Sequence, residues 1–368
     1  MFFLSLDSFR KVPRFSWPLL ILIFILTLVG LFALFSAGEG HLNPWALKQF
    51  YKVLLGFLVL FFLSIISPQF MMDIAYPFYG ICLLLLIFVE FFGKIGMGAQ
   101  RWINLGFIEL QPSEFMKIAL ILALSKYLHL NPLFPNFLWK NFWTTLLMIL
   151  IPAIFVLKQP DLGTASLLIL CGSSLLFVSG LPKKLILRFL GLGLISLPIF
   201  WNSLHDYQKK RIFTFLDPEK DRLGSGYHVL QSKISVGSGG FWGKGFLNGT
   251  QSHLDFLPEK HTDFIFTVIS EEWGFVGGLI LCLIYIGILY HTFKIALHAQ
   301  SLFGRLLTFG VGIMFFFYVT INIAMVTGIF PVVGVPLPFV SYGGTSLLSL
   351  FVCFGWVMNI HVHKNIRM

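Results

Sequence analysis

Long apolar runs recur along the chain and set the strongest limit on its fold. A run of about 17–25 apolar residues is long enough to cross a bilayer as a helix. Of the 368 residues, 57% are hydrophobic and 11% are charged, whereas a soluble domain carries about 25% charged residues. The sequence therefore predicts an all-α polytopic membrane protein with about ten transmembrane helices. The predicted spans cover residues 17–36, 48–67, 74–92, 115–130, 142–157, 162–180, 185–201, 274–294, 306–326 and 341–360.

Basic residues are shared unevenly between the two sides of such a ten-span chain. The short loops on the side of the two termini carry more Lys and Arg than the opposite short loops. The positive-inside rule therefore predicts that both termini are cytoplasmic. Residues 202–262 then form a large extracytoplasmic loop between spans 7 and 8. We expect a single transmembrane domain over residues 1–368, with the polar segments 93–114, 158–161 and 327–340 also on the outer side.

The net charge and the cysteines limit the ligands to be expected. The formal net charge is +10, from 26 Lys and Arg against 16 Asp and Glu. In a membrane protein this excess orients the chain and attracts anionic lipid headgroups, and it does not indicate a nucleic acid partner. The four cysteines lie in apolar runs without CxxC spacing, so we expect packed thiols and not metal ligands or disulfides.

Residues 253–272 concentrate charge in a chain that has little of it. Asp263 lies within them at the junction between a polar loop and an apolar helix. An ionisable group at a membrane boundary is unfavourable and usually marks function. The alternative is that Thr262 or Asp263 only caps the helix that follows.

Glu114 and Lys117 open the fourth predicted span, three residues apart on one helical face. Ser113 precedes them and is a suitable N-cap. The pair could simply neutralise itself, since charges inside a membrane must find partners. The functional interpretation is that Lys117 and Arg101 face a cavity that binds an anion.

The turn between the fifth and sixth predicted spans contains Pro160 and Asp161. Asp161 is well placed to cap the sixth span. The alternative is that Asp161 is a second carboxylate facing the same cavity as Lys117.

Two segments suggest irregular backbone. Residues 237–245 are rich in glycine but follow no strand, so we expect flexible backbone on the membrane surface and not a phosphate loop. Residues 331–338 contain three prolines before the last span, where Ser341 is a plausible N-cap. Irregular backbone at membrane depth normally lines a cavity or is buried in protein.

Seven motifs in order make the chain resemble the SEDS family of bacterial cell-wall proteins. The resemblance covers nearly the whole chain, and residues 249–252, the short N-terminus and the short tail after Ile360 favour the family's elongation member over its division member. The motifs are Gly98-Ala-Gln-Arg-Trp-Ile103, Gln111-Pro-Ser-Glu114, Gln159-Pro-Asp-Leu-Gly163, Gly249-Thr-Gln-Ser252, Phe256-Leu-Pro-Glu-Lys-His-Thr-Asp-Phe-Ile-Phe266, Glu271-Glu272 and Pro336-Leu-Pro-Phe-Val-Ser-Tyr-Gly-Gly344.

The resemblance implies a peptidoglycan glycosyltransferase that polymerises lipid II at the outer face of the bacterial cytoplasmic membrane. It implies three kinds of partner: lipid II, a class B penicillin-binding protein that cross-links the product, and other membrane proteins of the elongation complex. The family's essential aspartate falls on Asp263 and its loop tryptophan on Trp102. Its buried acid–base pair falls on Glu114 and Lys117, and the acid of its Gln-Pro-Asp turn on Asp161.

The implied reaction limits the roles that these residues can have. A sugar hydroxyl displaces a polyprenyl pyrophosphate with inversion, which needs a base at the hydroxyl and positive charge at the leaving group. Asp263 is our choice for the base, although a carboxylate that holds Mg²⁺ or Mn²⁺ against the pyrophosphate fits equally well. Lys117, Arg101 and either Lys260 or Lys158 would offset the pyrophosphate charge. Gln111, Trp102 and Ser341 complete the expected substrate-binding set.

Two other classes of function fit parts of the same pattern. A lipid II flippase would also need a charged, outward-facing cavity in a bundle of about ten spans. The concentration of polar motifs on one side of the membrane favours the enzyme. A scaffold that only anchors the transpeptidase would leave the polar residues around Asp263 unexplained.

Overall fold

The computed structural model describes residues 14–364 except 97–98, 105–108, 135–136, most positions between 183 and 212, 219–224 and 254–258. The described chain is mostly helical. Its helices are α1 (Trp17–Ala37), α2 (Trp45–Ile65), α3 (Pro68–Phe92), α4 (Pro112–Leu130), α5 (Trp139–Lys158), α6 (Leu162–Val178), α7 (Ser225–Ser238), α8 (Thr250–His253), α9 (Ile265–His298), α10 (Leu302–Val326) and α11 (Thr345–Val362).

Seven of the described helices are long and apolar enough to cross a membrane: α1, α2, α3, α5, α9, α10 and α11. The chain is therefore a multi-pass membrane protein. The predicted fourth and sixth spans fall on α4 and α6, which lie outside this set because α4 carries three charged side chains and α6 has 17 residues. Most of the predicted seventh span lies outside the described residues, as do residues 203–208, 210–212, 219–224 and 254–258 of the predicted 202–262 loop, so the count of ten stays a prediction.

Helix α4 occupies the centre of the bundle. It is buried over nearly its whole length and packs against α3, α6 and α10. Its position follows from its composition, since a helix that carries charge is stable within the membrane only where neighbouring protein surrounds it. The longer apolar helices leave large side chains exposed for lipid, such as Leu58 on α2 and Leu84 on α3.

The all-α prediction is wrong for the segment between α3 and α4. Three short antiparallel strands lie there in the order β1 (Lys94–Gly96), β2 (Ala99–Asn104) and β3 (Glu109–Leu110). Lys94 pairs with Trp102, and its Nζ lies 2.8 Å from Glu109 Oε1. Strands of two to six residues are too short to leave a clear alternation of apolar and polar residues, which is why the sequence indicated only a loop.

Two predicted helix caps are wrong. Helix α4 begins at Pro112, with Gln111 in the N-cap position in place of Ser113. Proline is favoured at the first helical position because it needs no N–H partner there, and the helix starts two residues earlier than a Ser113 cap would place it. Helix α11 begins only at Thr345, so Ser341 lies in the preceding loop and not at a helix end.

The two carboxylates proposed as caps have different outcomes. Asp161 caps α6 as predicted, because its Oδ1 accepts from the Thr164 N–H at 3.1 Å and its Oδ2 from the Thr164 hydroxyl at 2.9 Å. Helix α9 begins at Ile265 with Phe264 in the N-cap position and without a side-chain cap. The alternative role of Thr262 or Asp263 as that cap is therefore wrong.

The connection from α10 to α11, residues 327–344, enters the protein as irregular backbone, and we call it the deep loop. Val335, Leu337, Phe339 and Val340 in it are buried. It lies so close to α1 that a Cβ added at Gly30 would be 2.7 Å from the Phe339 carbonyl oxygen. The prediction that residues 331–338 are irregular, non-helical backbone is confirmed, and Val335, Leu337 and Pro338 among them are buried.

Side chains from three helices donate hydrogen bonds to backbone carbonyl groups of the deep loop. The Asn322 amide donates to the Val335 carbonyl at 2.7 Å, and the Tyr285 hydroxyl donates to the Pro338 carbonyl at 2.8 Å. The Gln49 amide donates to the Ser341 carbonyl at 3.1 Å. These bonds replace those that a regular helix would make, and they hold the loop at one depth.

Helix α9 is broken at Gly274, whose backbone has φ 65° and ψ −162°. The break frees helical carbonyl groups on its N-terminal side. The glycine-rich segment, residues 237–245, donates hydrogen bonds to these carbonyl groups. The Lys244 N–H donates to the Glu271 carbonyl at 3.0 Å, and the Gly245 N–H donates to the Glu272 carbonyl at 2.9 Å. The segment thus supplies donors that the helix has lost.

The same segment also accepts the N–H groups on the other side of the break. The Phe275 N–H donates to the Gly240 carbonyl at 2.9 Å, and the Val276 N–H to the Phe241 carbonyl at 3.2 Å. The prediction that residues 237–245 are flexible backbone is therefore wrong, although side chains such as Trp242 remain exposed at the surface as expected. Gly239 and Gly243 approach the helix backbone so closely that a side chain would not fit, which a composition-based interpretation does not reveal.

We predict that Gly243→Ala destabilises the protein more than Gly240→Ala. Both glycines have positive φ, so each alanine incurs a backbone term of about 1–2 kcal/mol. A Cβ at Gly243 would lie 2.1 Å from the Glu272 carbonyl oxygen, which adds overpacking of about 1–3 kcal/mol, whereas Gly240 has open space around it. Thermal melting of the purified variants in detergent measures the difference, and equal melting temperatures would contradict the packing described here.

Candidate active site

Asp263 lies where α9 begins and the deep loop passes. Its residue is half-buried, and its backbone carbonyl accepts from the Asn322 amide at 2.9 Å. Its carboxylate faces the deep loop, since a Cβ added at Gly334 would be 3.3 Å from Asp263 Oδ2. Gly334 has φ +72°, so glycine suits both the backbone and the space at this contact. The carboxylate is thus positioned by two elements far apart in sequence.

Ser341 fastens the deep loop to the segment that carries Asp263. Its hydroxyl donates to the Thr262 carbonyl at 2.6 Å and accepts from the Leu337 N–H at 2.8 Å. Next to it, the Tyr342 N–H donates to the His261 carbonyl at 2.8 Å. Ser341 therefore holds the backbone next to Asp263 in position.

His261 and Lys260 lie on the side of this segment that faces the α1–α2 connection. The His261 ring stacks on Trp45, with ring centroids 3.8 Å apart. Burial lowers the pKa of His261; Glu259 opposes that shift and Lys260 reinforces it. The imidazole is therefore neutral at pH 7. Lys260 is buried, and its Nζ lies 3.4 Å from Glu39 Oε1.

Glu114 and Lys117 form a buried triad with Tyr318 of α10. The Lys117 side chain is 1% exposed, and its Nζ lies 2.7 Å from Glu114 Oε1. Lys117 also donates to the Tyr318 hydroxyl, which donates in turn to Glu114 Oε2 at 2.8 Å. Tyr318 and Asn322 are four residues apart on α10, so the triad lies about 6 Å deeper along that helix than the Asn322 contact with Asp263.

Arg101 binds the turn before α6. Its Nε donates to the Gln159 carbonyl at 3.0 Å, another guanidinium N–H donates to the Pro160 carbonyl, and a third nitrogen lies 3.9 Å from Asp161 Oδ2. The side chain keeps 25% exposure. The guanidinium therefore stays at the rim of the site while it orders the turn.

The turn before α6 also touches the deep loop. A Cβ added at Gly163 would lie 2.8 Å from the Val333 carbonyl oxygen, so only glycine fits there. Val333 is next to Gly334, the residue against which the Asp263 carboxylate lies. The structure thus brings Arg101, Asp161 and Asp263 to adjoining parts of the same loop.

The remaining predicted site residues are Gln111, Trp102 and Lys158. Gln111 is half-buried at the start of α4, and Trp102 is half-buried on β2. Lys158 is exposed, with its Nζ 3.7 Å from Glu90 Oε1. Arg101 is an expected cationic group that contacts the turn before α6 directly.

Sequence reasoning missed Tyr318 and Asn322, which connect the buried triad to the Asp263 segment. A signal was available, because these are polar residues four apart within the apolar run 306–326. Such residues share one face of a helix, and polar side chains inside a membrane span usually form contacts within the protein. Their partners could not be found from the sequence, because Glu114 and Asp263 lie far away along the chain.

The described residues contain no group of three or more His, Cys, Asp or Glu side chains that could hold a metal ion. Mg²⁺ is often held by one or two protein carboxylates together with substrate phosphates. Asp263 is the carboxylate that the deep loop holds in place, and it fits that requirement as well as it fits a general base.

Comparison with known proteins supports the resemblance. The FtsW/RodA/SpoVE family model, described as cell cycle protein, matches residues 13–366. The chain is 44% identical over 348 residues to the peptidoglycan glycosyltransferase MrdB of Escherichia coli K12, covering 94% of each chain. It is 32% identical to the peptidoglycan glycosyltransferase RodA of Treponema pallidum, covering 96% of this chain and 99% of the relative.

Solved structures show the same fold. A chain from a peptidoglycan synthase complex, solved to describe how polymerization and crosslinking are coordinated, superposes with a TM-score of 0.82 at 33% identity, covering 94% of this chain and 97% of that one. The rod shape determining protein RodA of Thermus thermophilus superposes with a TM-score of 0.72 at 30% identity, covering 96% and 98%. In sequence and in fold, the chain belongs to the SEDS family of FtsW, RodA and SpoVE proteins.

Proposed function

We infer that this chain is a peptidoglycan glycosyltransferase associated with cell elongation. The observation that carries this conclusion is its 44% identity, over 94% of its length, to a protein named for that activity. We propose further that it polymerises lipid II at the outer face of the bacterial inner membrane. Asp263 is half-buried and its carboxylate lies beside the deep loop, which supports an enzyme more than it supports a scaffold.

Asp263 acts as the general base in this proposal. It takes the proton from the attacking sugar hydroxyl while the polyprenyl pyrophosphate leaves from the anomeric carbon. Its backbone is fixed by Asn322, and its carboxylate lies against Gly334, so it is already oriented. A bound Mg²⁺ or Mn²⁺ would supply charge neutralisation to the pyrophosphate.

The cationic side chains stabilise the leaving group. Arg101 lies at the rim, partly exposed, beside the turn that contacts the deep loop. Lys117 lies deeper, where Glu114 and Tyr318 hold its ammonium group. In the proposal Arg101 and Lys117 bind the pyrophosphate, Lys260 and Asp161 border the site, and Gln111, Trp102 and Ser341 shape it.

The chain works as a single transmembrane domain with a class B penicillin-binding protein. The superposition on a chain of a peptidoglycan synthase complex that coordinates polymerization with crosslinking supports such a partner. We propose ten spans, with both termini cytoplasmic and an extracytoplasmic loop at about 202–262.

One assay separates the enzyme from a flippase and from a scaffold. The purified full chain is incubated with lipid II in detergent, with and without its partner, and glycan strands are measured. We expect strands to form when the complete chain is present. A flippase would give no product, because detergent removes the two sides of the membrane, and a scaffold would add nothing to the partner alone.

We predict that Asp263→Asn lowers the polymerisation rate by about 100-fold or more, because removal of a general base usually costs 10²–10⁴-fold. Membrane insertion and melting temperature should stay close to those of the wild type. Asp73→Asn is the matched control, since Asp73 is exposed near the start of α3. Glycan synthesis at the wild-type rate by the Asp263 variant would exclude both the base role and the metal-holding role.

We predict that the double variant Glu114→Gln/Lys117→Met folds but does not polymerise lipid II. Each single change leaves a buried charge without its partner and destabilises the protein by about 3–5 kcal/mol, whereas the double change leaves none. The melting temperature of the double variant should therefore exceed that of either single variant. Near-normal polymerisation by the double variant would show that the pair only neutralises itself.

We predict that residues 238 and 364 lie on opposite sides of the membrane, with residue 364 cytoplasmic. Ser238→Cys and Lys364→Cys place one thiol at each exposed position, and Cys282→Ala removes the native cysteine that is not fully buried. A membrane-impermeant maleimide added to intact cells should label only position 238. Labelling of both positions from outside would overturn the orientation.

A further inference from the structure

We propose that the chain binds the phosphate group of an anionic phospholipid in a cavity at the end of the bundle opposite Asp263. The cavity has a volume of about 560 Å³. We call it the cationic cavity, and its basic lining residues are His291, Lys294, His298, His361 and Lys364.

The cationic cavity is separate from the candidate active site. Helix α9 begins two residues after Asp263 and ends at His298, which lines the cavity. The helix is broken at Gly274, and residues 275–298 beyond the break cover about 36 Å at 1.5 Å per residue, which still exceeds the hydrocarbon core of about 30 Å. The start of α1 and the end of α11 meet α9 there. The cavity therefore opens at the other face of the membrane.

The charges around the cavity indicate an anionic ligand. None of its described lining residues is acidic. In the part of the chain that the structure describes, no carboxylate forms an ion pair with Lys294 or Lys364. Lys294 and Lys364 carry like charges that repel each other, and an anion between them offsets the repulsion. Phosphate suits the site because it offers several acceptor oxygens to ammonium and imidazole donors.

The position of the cavity favours a lipid phosphate over one in solution. Trp17, next to lining residues on α1, is 49% exposed, and Tyr290, next to His291, is 60% exposed. Exposed Trp and Tyr side chains at helix ends mark the level of the headgroups. Lys294 Nζ lies 5.8 Å from the centre of the Tyr290 ring, so this lysine lies at the same level. A lipid phosphate is already present at that depth.

Two matched pairs of lysines test the proposal. Lys294→Gln/Lys364→Gln removes two charges from the cavity. Lys140→Gln/Lys184→Gln is the control, because these exposed lysines lie at the same membrane face, at the start of α5 and beyond the end of α6, and do not line the cavity. The full chain is purified in detergent and titrated with phosphatidylglycerol or phosphatidylcholine, and bound lipid is counted by native mass spectrometry.

We expect the wild type and the control pair to retain phosphatidylglycerol in preference to phosphatidylcholine. The cavity pair should bind phosphatidylglycerol about thirtyfold more weakly, the combined effect of two lysines at an anionic lipid surface. Melting temperatures without added lipid should agree among the three proteins, because all four lysines are exposed.

Three results would overturn the proposal. Equal retention of both lipids by the wild type would exclude an anionic lipid site. An equal loss in the cavity pair and the control pair would mean that general surface charge attracts the lipid. Displacement of phosphatidylglycerol by millimolar inorganic phosphate would assign the cavity to a soluble phosphate and not to a lipid.

Discussion

The N–H and carbonyl groups of irregular backbone inside a membrane protein must find hydrogen-bond partners other than water, and the deep loop exists because the protein supplies them. Asn322, Tyr285 and Gln49 supply donors to three of its carbonyl groups, and Ser341 accepts one of its N–H groups. Asn322, Tyr285 and Gln49 lie on three different helices, so the loop can exist only when the bundle has assembled. Asp263 gains its position as a consequence, because its carboxylate lies against the same loop.

The break in α9 follows the same rule at another place. The glycine-rich segment accepts and donates the hydrogen bonds that the helix loses around Gly274. Both irregular regions lie near the N-terminal part of α9. The deep loop contacts the residues just before α9, and the glycine-rich segment contacts the break at Gly274. Regular helices bond their own backbone and leave none for other segments, so a site built from loops needs such substitutes. The backbone near Asp263 is thus irregular, but the carbonyl and N–H groups named above all form hydrogen bonds.

Charge inside the bundle is confined by a related constraint. Lys117 and Glu114 are enclosed together with Tyr318, since an isolated charge in this environment would be strongly unfavourable. Helix α10 links that triad to the Asp263 segment through Asn322, one turn away. One helix therefore carries side chains that contact both the triad and the Asp263 backbone. The cationic cavity at the other face lacks any such internal pairing among the described residues, which fits a ligand from the lipid.

The sequence by itself determined the class of the protein, the places of most long helices and the identity of the ionisable residues that matter. Apolar length and the scarcity of charge are local properties, and Asp161 as a cap depends only on the residues beside it. The tertiary structure decided what Ser341, Tyr318, Asn322 and the glycines of residues 237–245 do. Their partners are far away along the sequence, as Thr262 is from Ser341 and Glu114 is from Tyr318. No local sequence pattern records a contact across such separations. Inside a membrane, the hydrogen bonds of irregular backbone come from other parts of the assembled bundle, and for that reason only the tertiary structure reveals them.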